Sequence, residues 1–269
     1  MKLYATGLTG TIGKHLANQV QNIDIDLRSP KEVFNQLTFD ANSCIIHLAG
    51  VVGPALVEKD LKNSYQINVE GAKKLALAAL DAGIERFVYV STSHVYKPST
   101  KILTEESEIG PSNVYAQQKL EAELEVQKVF QTSPTRLSIV RVFSVLDWDV
   151  QEFTLGGGIK KLSMDDPEFV LGNSDDVRDF LTPKKIAEVL IKIANEPRLT
   201  GIVNMCTGQG LTVSEAATRM LKESGFSPME AKIRPGNSGM PSMVGDNSKL
   251  LSHLPNLQLE WAPSHLSGS

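Results

Sequence analysis

A short apolar segment followed at once by three evenly spaced glycines constrains this chain more than any other feature of its sequence. Residues 1–6 predict a strand, and Gly7, Gly10 and Gly13 come directly after it. Glycines let the backbone turn sharply and approach a diphosphate closely, while the start of a helix offers free N–H groups. Residues 14–20 are expected to form that helix. The order strand, glycine loop, helix predicts a dinucleotide site in the first turn, built from Gly7, Thr9, Gly10, Thr11, Ile12 and Gly13.

The rest of the chain alternates between strand-like and helix-like segments. The expected strands are residues 23–27, 43–50, 86–90, 137–142 and 201–206. The expected helices are residues 30–37, 62–82, 112–130, 183–194 and 213–224. This alternation predicts an α/β fold of the Rossmann type, a doubly wound parallel sheet, with a small interleaved C-terminal lobe for the substrate.

The alternation breaks up from residue 144 onward, and this break suggests how the chain is divided. Residues 1–143 are assigned to a dinucleotide-binding domain, with returns to its sheet at about residues 176–208. Residues 144–175 and 209–269 are assigned to a substrate-binding lobe.

Charge and cysteine content exclude several classes of function. The formal net charge of −4 argues against a general affinity for nucleic acid or an anionic membrane. The N-terminal segment lacks the apolar core of a signal peptide, and the sequence has no run of 18 apolar residues. Cys44 and Cys206 lie far apart and form no metal-ligand motif. We therefore expect a cytoplasmic protein without a metal site, a nucleic-acid partner or membrane association.

The second strand leaves the choice of cofactor open. A dinucleotide fold places an acidic residue about 20 residues after its glycines, where it binds the ribose hydroxyls. Asp26 comes earlier than that, and Arg28 lies two residues beyond it, which suggests that one strand–helix unit is missing. Asp26 would bind the ribose of NAD, or Arg28 would bind the extra phosphate of NADP, or both face solvent in a turn.

The next expected strand ends in small residues. Residues 43–50 form a nearly continuous apolar run, as a buried parallel strand does. Ligands of open α/β sheets bind at the carboxyl ends of the strands, so Leu48, Ala49 and Gly50 are expected to contact the cofactor. His47 is expected to be a packed strand residue and not a catalytic group.

Tyr115 and Lys119 are four residues apart in a helix that Ser112 is expected to cap, so their side chains share one face. A free phenol has a pKa of about 10, and a fixed ammonium beside it lowers that value. By itself, such a pair on a helix arises more often by chance than from a role in catalysis. The hydroxyl cluster at residues 91–93, after the preceding strand, adds donors for a substrate oxygen, although a polar turn would carry them too.

Taken together, these motifs resemble those of the extended short-chain dehydrogenase/reductase family, the NAD-dependent epimerase/dehydratase group that acts on nucleotide sugars. The resemblance spans nearly the whole chain. It rests on the three glycines, on Tyr115 with Lys119, and on the segments 47–50, 68–71, 91–96, 178–180, 204–208 and 259–263.

The resemblance implies a role for each matching residue. Tyr115 would be the acid–base group, Lys119 would bind the nicotinamide ribose and lower the tyrosine pKa, and Thr92 would hydrogen-bond the reacting oxygen. NAD or NADP would be the cofactor, with Asn68 among its contacts, and the substrate would resemble a nucleotide sugar. The substrate contacts expected alongside Tyr115 are Val51, Ser93, His94, Ser144 and Arg178.

Departures from the family pattern reduce the number of reaction types that are expected. Ser93 and His94 stand where the sugar dehydratases carry Asp-Glu, which argues against a 4,6-dehydratase. Ser144 replaces an asparagine that often touches the substrate diphosphate. We expect a reductase of a 4-keto-deoxysugar, with an epimerase that holds NAD tightly as the alternative. A regulator that senses NAD(P) without turnover is the third possibility, against which the intact Thr92, Tyr115 and Lys119 argue.

Two further expectations concern His94 and the oligomeric state. His94 would be a second acid–base group, a donor that orients a sugar hydroxyl, or a packing residue. Helices 64–82 and 113–130 carry more apolar surface than one buried stripe requires, so a homodimer through these helices is expected. The alternative is that the C-terminal lobe covers the second stripe.

Overall fold

A parallel sheet forms the centre of the protein, seen here in a computed structural model. The structure describes residues 1–148, 150, 154–163, 170–223, 225, 232–236, 238 and 242–263. The strands in chain order are β1 (Lys2–Thr6), β2 (Gln21–Asn22), β3 (Ser43–His47), β4 (Arg86–Thr92), β5 (Arg136–Val142), β6 (Ser144–Val145), β7 (Val177–Arg178), β8 (Phe180–Leu181), β9 (Gly201–Met205), β10 (Leu211–Thr212) and β11 (Ser242–Met243).

Helices follow most of these strands. In chain order they are α1 (Lys31–Phe34), α2 (Pro54–Lys59), α3 (Leu61–Tyr65), α4 (Ala72–Asp81), α5 (Val114–Phe130), α6 (Leu155–Ser163), α7 (Pro183–Asn195), α8 (Val213–Glu223) and α9 (Ser248–His253). A π-helix, Gln66–Gly71, joins α3 to α4, and short 3₁₀ helices cover Gly13–His15 and Ser93–Val95.

The order of the strands fixes the place where a ligand binds. The six-stranded sheet runs β2-β1-β3-β4-β5-β9, and all its neighbours pair in parallel. After β1 the chain turns to one side for β2 and to the other side for β3. This reversal places a crevice beyond the carboxyl ends of β1 and β3, where open α/β sheets bind their ligands. The predicted Rossmann fold class is confirmed.

Alternate side chains of each strand pack into two cores, one on each face of the sheet. On β4, Tyr89 belongs to the core shared with α4 and α5, whereas Val90 belongs to the core shared with α7. A third, smaller core lies outside the sheet and joins residues of α6 and α8 to Leu146, Trp148, Phe180 and Trp261. The domain boundaries proposed from the sequence remain a proposal, and parts of the suggested C-terminal lobe lie outside the described residues.

The segment after the glycine loop departs from its prediction. The helix expected at 14–20 is wrong: helical structure is limited to the 3₁₀ turn Gly13–His15, in which only Gly13 is buried. The strand expected at 23–27 is wrong too, since β2 is the two-residue strand Gln21–Asn22. With β2 starting at Gln21, too few residues remain for a full crossover helix. The helix expected at 30–37 likewise shortens to α1.

The single helix expected at 62–82 divides into three parts, which are α3, the π-helix and α4. π-helical turns are found mostly at functional sites. This one carries Asn68, whose side chain is buried against the loop after β3. Gly83, with φ of +63°, ends the helix as expected.

The N-cap of the helix that carries Tyr115 lies one residue later than predicted. It is Asn113, not Ser112, and the Asn113 side chain accepts a hydrogen bond from the Ala116 N–H at 2.9 Å. The predicted strand at 137–142 and the helix at 183–194 are confirmed to within a residue as β5 and α7. The predicted helix end at Ser224 lies outside the described residues. Within the described part of the chain, no helix is long and apolar enough to cross a lipid bilayer.

The structure shows which apolar residues of α5 are buried within the chain. Of the two apolar stripes on α5, Ala122, Val126 and Phe130 are buried in the core beneath the sheet, and Ala116 is buried as well. Leu124 is the large apolar residue that α5 leaves exposed, at 48%. The homodimer remains a prediction, and a substitution of Leu124 tests it.

We expect light scattering to find a species of twice the 29.3 kDa chain mass. A charge introduced at the centre of a pairing helix face opposes association, so Leu124→Glu is expected to be monomeric. Ile102→Glu is the control, since Ile102 is 59% exposed on the loop between β4 and α5. A wild-type protein that is already monomeric at micromolar concentration would contradict the prediction.

Candidate active site

The glycine loop packs against the end of β3. Gly7 has φ of +76°, and a Cβ there would lie 2.7 Å from the Ala49 nitrogen. A Cβ on Gly13 would lie 2.0 Å from the Gly7 carbonyl oxygen, so the loop closes on itself. Within the described residues, the N–H groups of Thr11 and Ile12 have no hydrogen-bond partner. The loop therefore offers free N–H donors in a turn that side chains cannot fill, which fits a diphosphate.

A cavity of about 470 Å³ opens above this loop. It reaches from the glycines, past the ends of β3 and β4, to Tyr115 and Lys119 on α5. Every predicted cofactor residue except Asp26 and Arg28 lines it. The lining also includes residues that were not predicted as site residues, namely Val52, Leu56, Val90, Val142, Phe143, Val145, Val150 and Thr154. The position of Val142 and Phe143 at the carboxyl end of β5 is a signal by which the sequence could have identified them.

Asp26 and Arg28 pair with each other. The Arg28 guanidinium donates to both Asp26 carboxylate oxygens, from Nε at 2.9 Å and from Nη2 at 2.8 Å. The hydrogen bonds from Arg28 lower the pKa of Asp26 to about 2. Both side chains are exposed, and neither lines the cavity. Their solvent-facing arrangement matches the third of the alternatives raised for them, and their part in cofactor choice remains a proposal.

Thr92 and Tyr115 come together at the inner end of the cavity. Thr92 is the last residue of β4, and its hydroxyl accepts the His94 N–H at 3.3 Å as the chain turns. Burial raises the pKa of Tyr115 to about 12, and a hydrogen bond with Thr92 lowers it in part. No contribution of Lys119 to this shift is resolved, so its expected lowering of the tyrosine pKa stays a prediction. Tyr115 is therefore a protonated phenol near neutral pH, suited to donating a proton.

Lys119 lies one turn from Tyr115 and is almost fully buried. Its ammonium donates to the Val90 carbonyl oxygen at 2.7 Å and lies 4.3 Å from the centroid of the Tyr89 ring. Burial lowers the pKa of Lys119 to about 7, while the negative charge of Glu123 acts in the opposite direction. The backbone of β4 thus fixes the ammonium between the ring and the cavity.

Asn68, predicted as a cofactor contact, also holds a loop of the cavity wall. Its Oδ1 accepts the Val51 N–H at 2.7 Å, and its Nδ2 donates to the Val51 carbonyl oxygen and to Gln118 Oε1. Gln118 in turn donates to Ser64 Oγ at 3.0 Å. Gln118, which the sequence analysis missed, thereby connects the Tyr115 helix to the loop after β3.

The predicted substrate residues are only partly assembled. Val51 and Tyr115 line the cavity, whereas Ser93, His94, Ser144 and Arg178 do not. Burial, and to a lesser extent the charge of the Arg178 guanidinium, lower the pKa of His94. Within the described residues, His94 Nδ1 is buried without a hydrogen-bond partner.

Two buried groups behind the site anchor these segments. Asp179, beside Arg178, is fully buried and accepts hydrogen bonds from the backbone N–H groups of Thr207 and Gly208 at 2.7 and 2.9 Å. Its carbonyl oxygen accepts the Ser144 N–H at 2.9 Å. His47 is packed against Tyr89 and Phe87, and its Nδ1 lies 2.7 Å from the Thr6 hydroxyl. The prediction of a structural role for His47 is confirmed.

Comparison with known proteins identifies the family. The model of the NAD dependent epimerase/dehydratase family matches residues 3–206. The chain belongs to this family. It is an NAD(P)-dependent enzyme of the extended short-chain dehydrogenase/reductase type, as the resemblance implied. Among the described residues, no cluster of histidine, cysteine or carboxylate side chains could hold a metal ion.

Two curated relatives span most of the chain. GDP-6-deoxy-D-talose 4-dehydrogenase of Aggregatibacter actinomycetemcomitans is 26% identical, over 95% of this chain and 92% of its own length. GDP-6-deoxy-D-mannose reductase of Pseudomonas aeruginosa is 24% identical, over 80% of this chain and 77% of its own. The solved structure of RMD from Pseudomonas aeruginosa complexed with NADPH has a TM-score of 0.83 at 22% identity, over 96% of this chain and 93% of that one. This last likeness confirms the fold.

We predict that Gly13→Val loses NAD(P) binding, because the new side chain would collide with the Gly7 carbonyl oxygen and distort the loop. Calorimetric titration with each cofactor measures the loss. Gly172→Val is the control, since a Cβ on Gly172 meets no atom within 4 Å. If Gly13→Val bound the cofactor normally, the diphosphate site would lie elsewhere.

A second prediction concerns pH and stability. The pKa of Lys119 is about 7 in the folded protein, against about 10.4 in an unfolded chain. Between these values the unfolded chain binds a proton that the folded one does not, so this group makes the free energy of unfolding rise with pH. Lys119→Met should stabilise the protein most below pH 7, and the gain should shrink towards pH 10.

Chemical denaturation across this range measures the gain. Lys128→Met, at an exposed position of the same helix, is the matched control. If the gain in the free energy of unfolding for Lys119→Met stayed constant with pH, the pKa of Lys119 would not be lowered in the folded protein.

Proposed function

We propose that this protein is an NAD(P)H-dependent reductase of a keto group on a nucleotide-linked deoxysugar, with the 4-keto position as the preferred site. The observation that carries the proposal is the protonated Tyr115 beside the Thr92 hydroxyl, in a cavity continuous with the glycine loop. Two relatives that span most of the chain are named as a 4-dehydrogenase and a reductase of GDP-6-deoxysugars, which supports this substrate class.

The chain's own groups would act on the carbonyl oxygen. When bound, the reduced nicotinamide supplies a hydride to the carbonyl carbon. Negative charge then develops on the oxygen, where Thr92 donates a hydrogen bond and Tyr115 transfers its proton. The positive charge of Lys119, one turn away on α5, stabilises the phenolate that remains on Tyr115.

His94 and Arg178 are proposed to contact the substrate beyond the reacting carbon. Burial and the nearby guanidinium keep the pKa of His94 below its ordinary value, so the imidazole is neutral near pH 7. Its unpartnered Nδ1 favours a hydrogen bond that orients a sugar hydroxyl over a role as a second acid–base group.

The cofactor and the compartment remain parts of the proposal. The solved RMD structure contains NADPH, whereas the family is named for NAD. Arg28 would serve the extra phosphate of NADP and Asp26 the ribose of NAD, so an assay must offer both cofactors. Two free, buried cysteines support a reducing compartment such as the cytoplasm.

The test is turnover of a GDP-linked 4-keto-6-deoxysugar with NADPH or NADH, followed by loss of nicotinamide absorbance. Tyr115→Phe should lower kcat by about 10²–10⁴-fold, the usual contribution of an acid–base group, with cofactor affinity nearly unchanged. Tyr65→Phe is the control, because the Tyr65 hydroxyl is exposed and bonds Glu121 on the outer face.

The alternatives predict different results. An epimerase would release NAD when the purified protein is denatured, and it would isomerise a nucleotide sugar without net loss of nicotinamide absorbance. This outcome, or a Tyr115→Phe variant with wild-type turnover, would overturn the reductase proposal. Membership of an enzyme family sets aside the third alternative, a regulator without turnover.

A further inference from the structure

Lys119 keeps a buried ammonium without a carboxylate partner. The residue is 8% exposed, and no carboxylate of the described residues lies within ion-pair distance of its ammonium. The negative charge of Glu123, one turn further along α5, raises the pKa of Lys119, but the two side chains form no ion pair. The two carboxylate oxygens of Glu123 are taken up by Arg141 Nε and Nη2, at 3.1 and 2.7 Å. The charge of Lys119 therefore requires another source of stabilisation.

The aromatic ring of Tyr89 lies beside the Lys119 ammonium, in the place that a carboxylate partner would take. The distance from Lys119 Nζ to the ring centroid is 4.3 Å, within the range of a cation–π contact. Tyr89 is 1% exposed in the middle of β4, and its neighbour Val90 supplies the carbonyl oxygen that the same ammonium bonds. Among the described residues the Tyr89 hydroxyl has no hydrogen-bond partner. The contact with the lysine is thus made by the face of the ring.

The physical difference between a ring and a carboxylate explains the arrangement. A carboxylate beside Lys119 would hold the ammonium but would also cancel its field. The quadrupole of an aromatic ring attracts a cation and carries no net charge, so the positive potential remains available to Tyr115.

The other titratable groups around the ammonium do not replace the ring. On β3, the centroid of the His47 ring lies 5.8 Å from that of the Tyr89 ring. Burial lowers the pKa of His47 to about 3, so it stays neutral. On α5 itself, Glu123 is bound to Arg141 of β5, and Tyr115 is protonated.

We propose that Tyr89 is a positioning residue for the active-site lysine, whose ring face fixes the Lys119 ammonium and favours its charged form. The inference rests on the role given to Lys119 in the proposed function. It concerns the lysine alone, however, and its test needs neither substrate nor cofactor, so the two proposals fail independently.

The experiment follows the lysine directly. NMR of protein with ¹³C-labelled lysine reports the titration midpoint of Lys119, with Lys119→Met to assign the signal. Tyr89→Leu removes the ring, and the midpoint should fall by about one pH unit, as expected for a desolvated cation–π contact. Tyr89→Phe keeps the ring and should leave the midpoint unchanged.

A second series of variants, with fluorinated phenylalanine at position 89, tests the proposal even if Tyr89→Leu does not fold. Phenylalanine with one, two or more fluorines at position 89 keeps the size of the ring and weakens its quadrupole stepwise. The Lys119 midpoint should fall with each fluorine. The same series at Phe87 is the control, since Phe87 lies two residues earlier on the same face of β4 and packs against Phe130 and His47.

Three results would overturn the proposal. A purely structural role would lower Tm in Tyr89→Leu while the Lys119 midpoint stays at its wild-type value. An equal fall in Tyr89→Phe would assign the effect to the hydroxyl. The Tyr89 ring would have no specific effect on Lys119 if the Lys119 midpoint did not change on fluorination at position 89. The same would follow if fluorination at position 87 changed the midpoint equally.

Discussion

The buried ion pair between Glu123 and Arg141 holds α5, the helix that carries Tyr115 and Lys119, on the sheet. Both residues are at most 2% exposed, and the guanidinium donates twice to the carboxylate, while the Ser91 hydroxyl donates a third hydrogen bond. Removing one member of such a pair typically costs about 3–5 kcal/mol, because the other charge is left buried alone. The pair connects α5 to β4 and β5 near the strand ends from which Thr92 and the cavity wall come. The geometry of the active site depends on it.

A second network connects the same helix to the wall above the glycine loop. Asn68, presented by the π-helix, holds the backbone of Val51 at both its N–H and its carbonyl group, and Gln118 continues the chain of hydrogen bonds to Ser64. A Cβ on Gly50 would lie 2.9 Å from Asn68 Oδ1, so this glycine allows the close approach. Side-chain hydrogen bonds therefore join the helix of Tyr115 to the loop after β3.

The C-terminal part of the chain closes the other side. The Trp261 indole donates to the Leu146 carbonyl oxygen at 3.0 Å, and its ring packs against Phe180 and under the Arg219 guanidinium. Asp179 joins three loops through a single buried carboxylate. This side of the structure is thus built from segments that lie far apart in sequence, so it followed less directly from local patterns than the glycine loop did.

Local patterns determined the parts of this protein that depend on neighbours in sequence. The spacing of Gly7, Gly10 and Gly13 after a strand specified the loop, the four-residue spacing of Tyr115 and Lys119 specified a shared helix face, and the alternation of segments specified the parallel sheet. The helix lengths near β2 and the π-helix that carries Asn68 were not predictable from local patterns. The first depend on the length of chain available to connect neighbouring strands, and the second depends on the contacts of Asn68 with the loop after β3.

Only the tertiary structure decided the electrostatics. Tyr115 keeps its proton because burial raises its pKa, and the Lys119 ammonium four residues away faces the carbonyl oxygen and ring of another strand. Sequence spacing sets which side chains are neighbours on a helix, whereas desolvation and long-range contacts set what those side chains do.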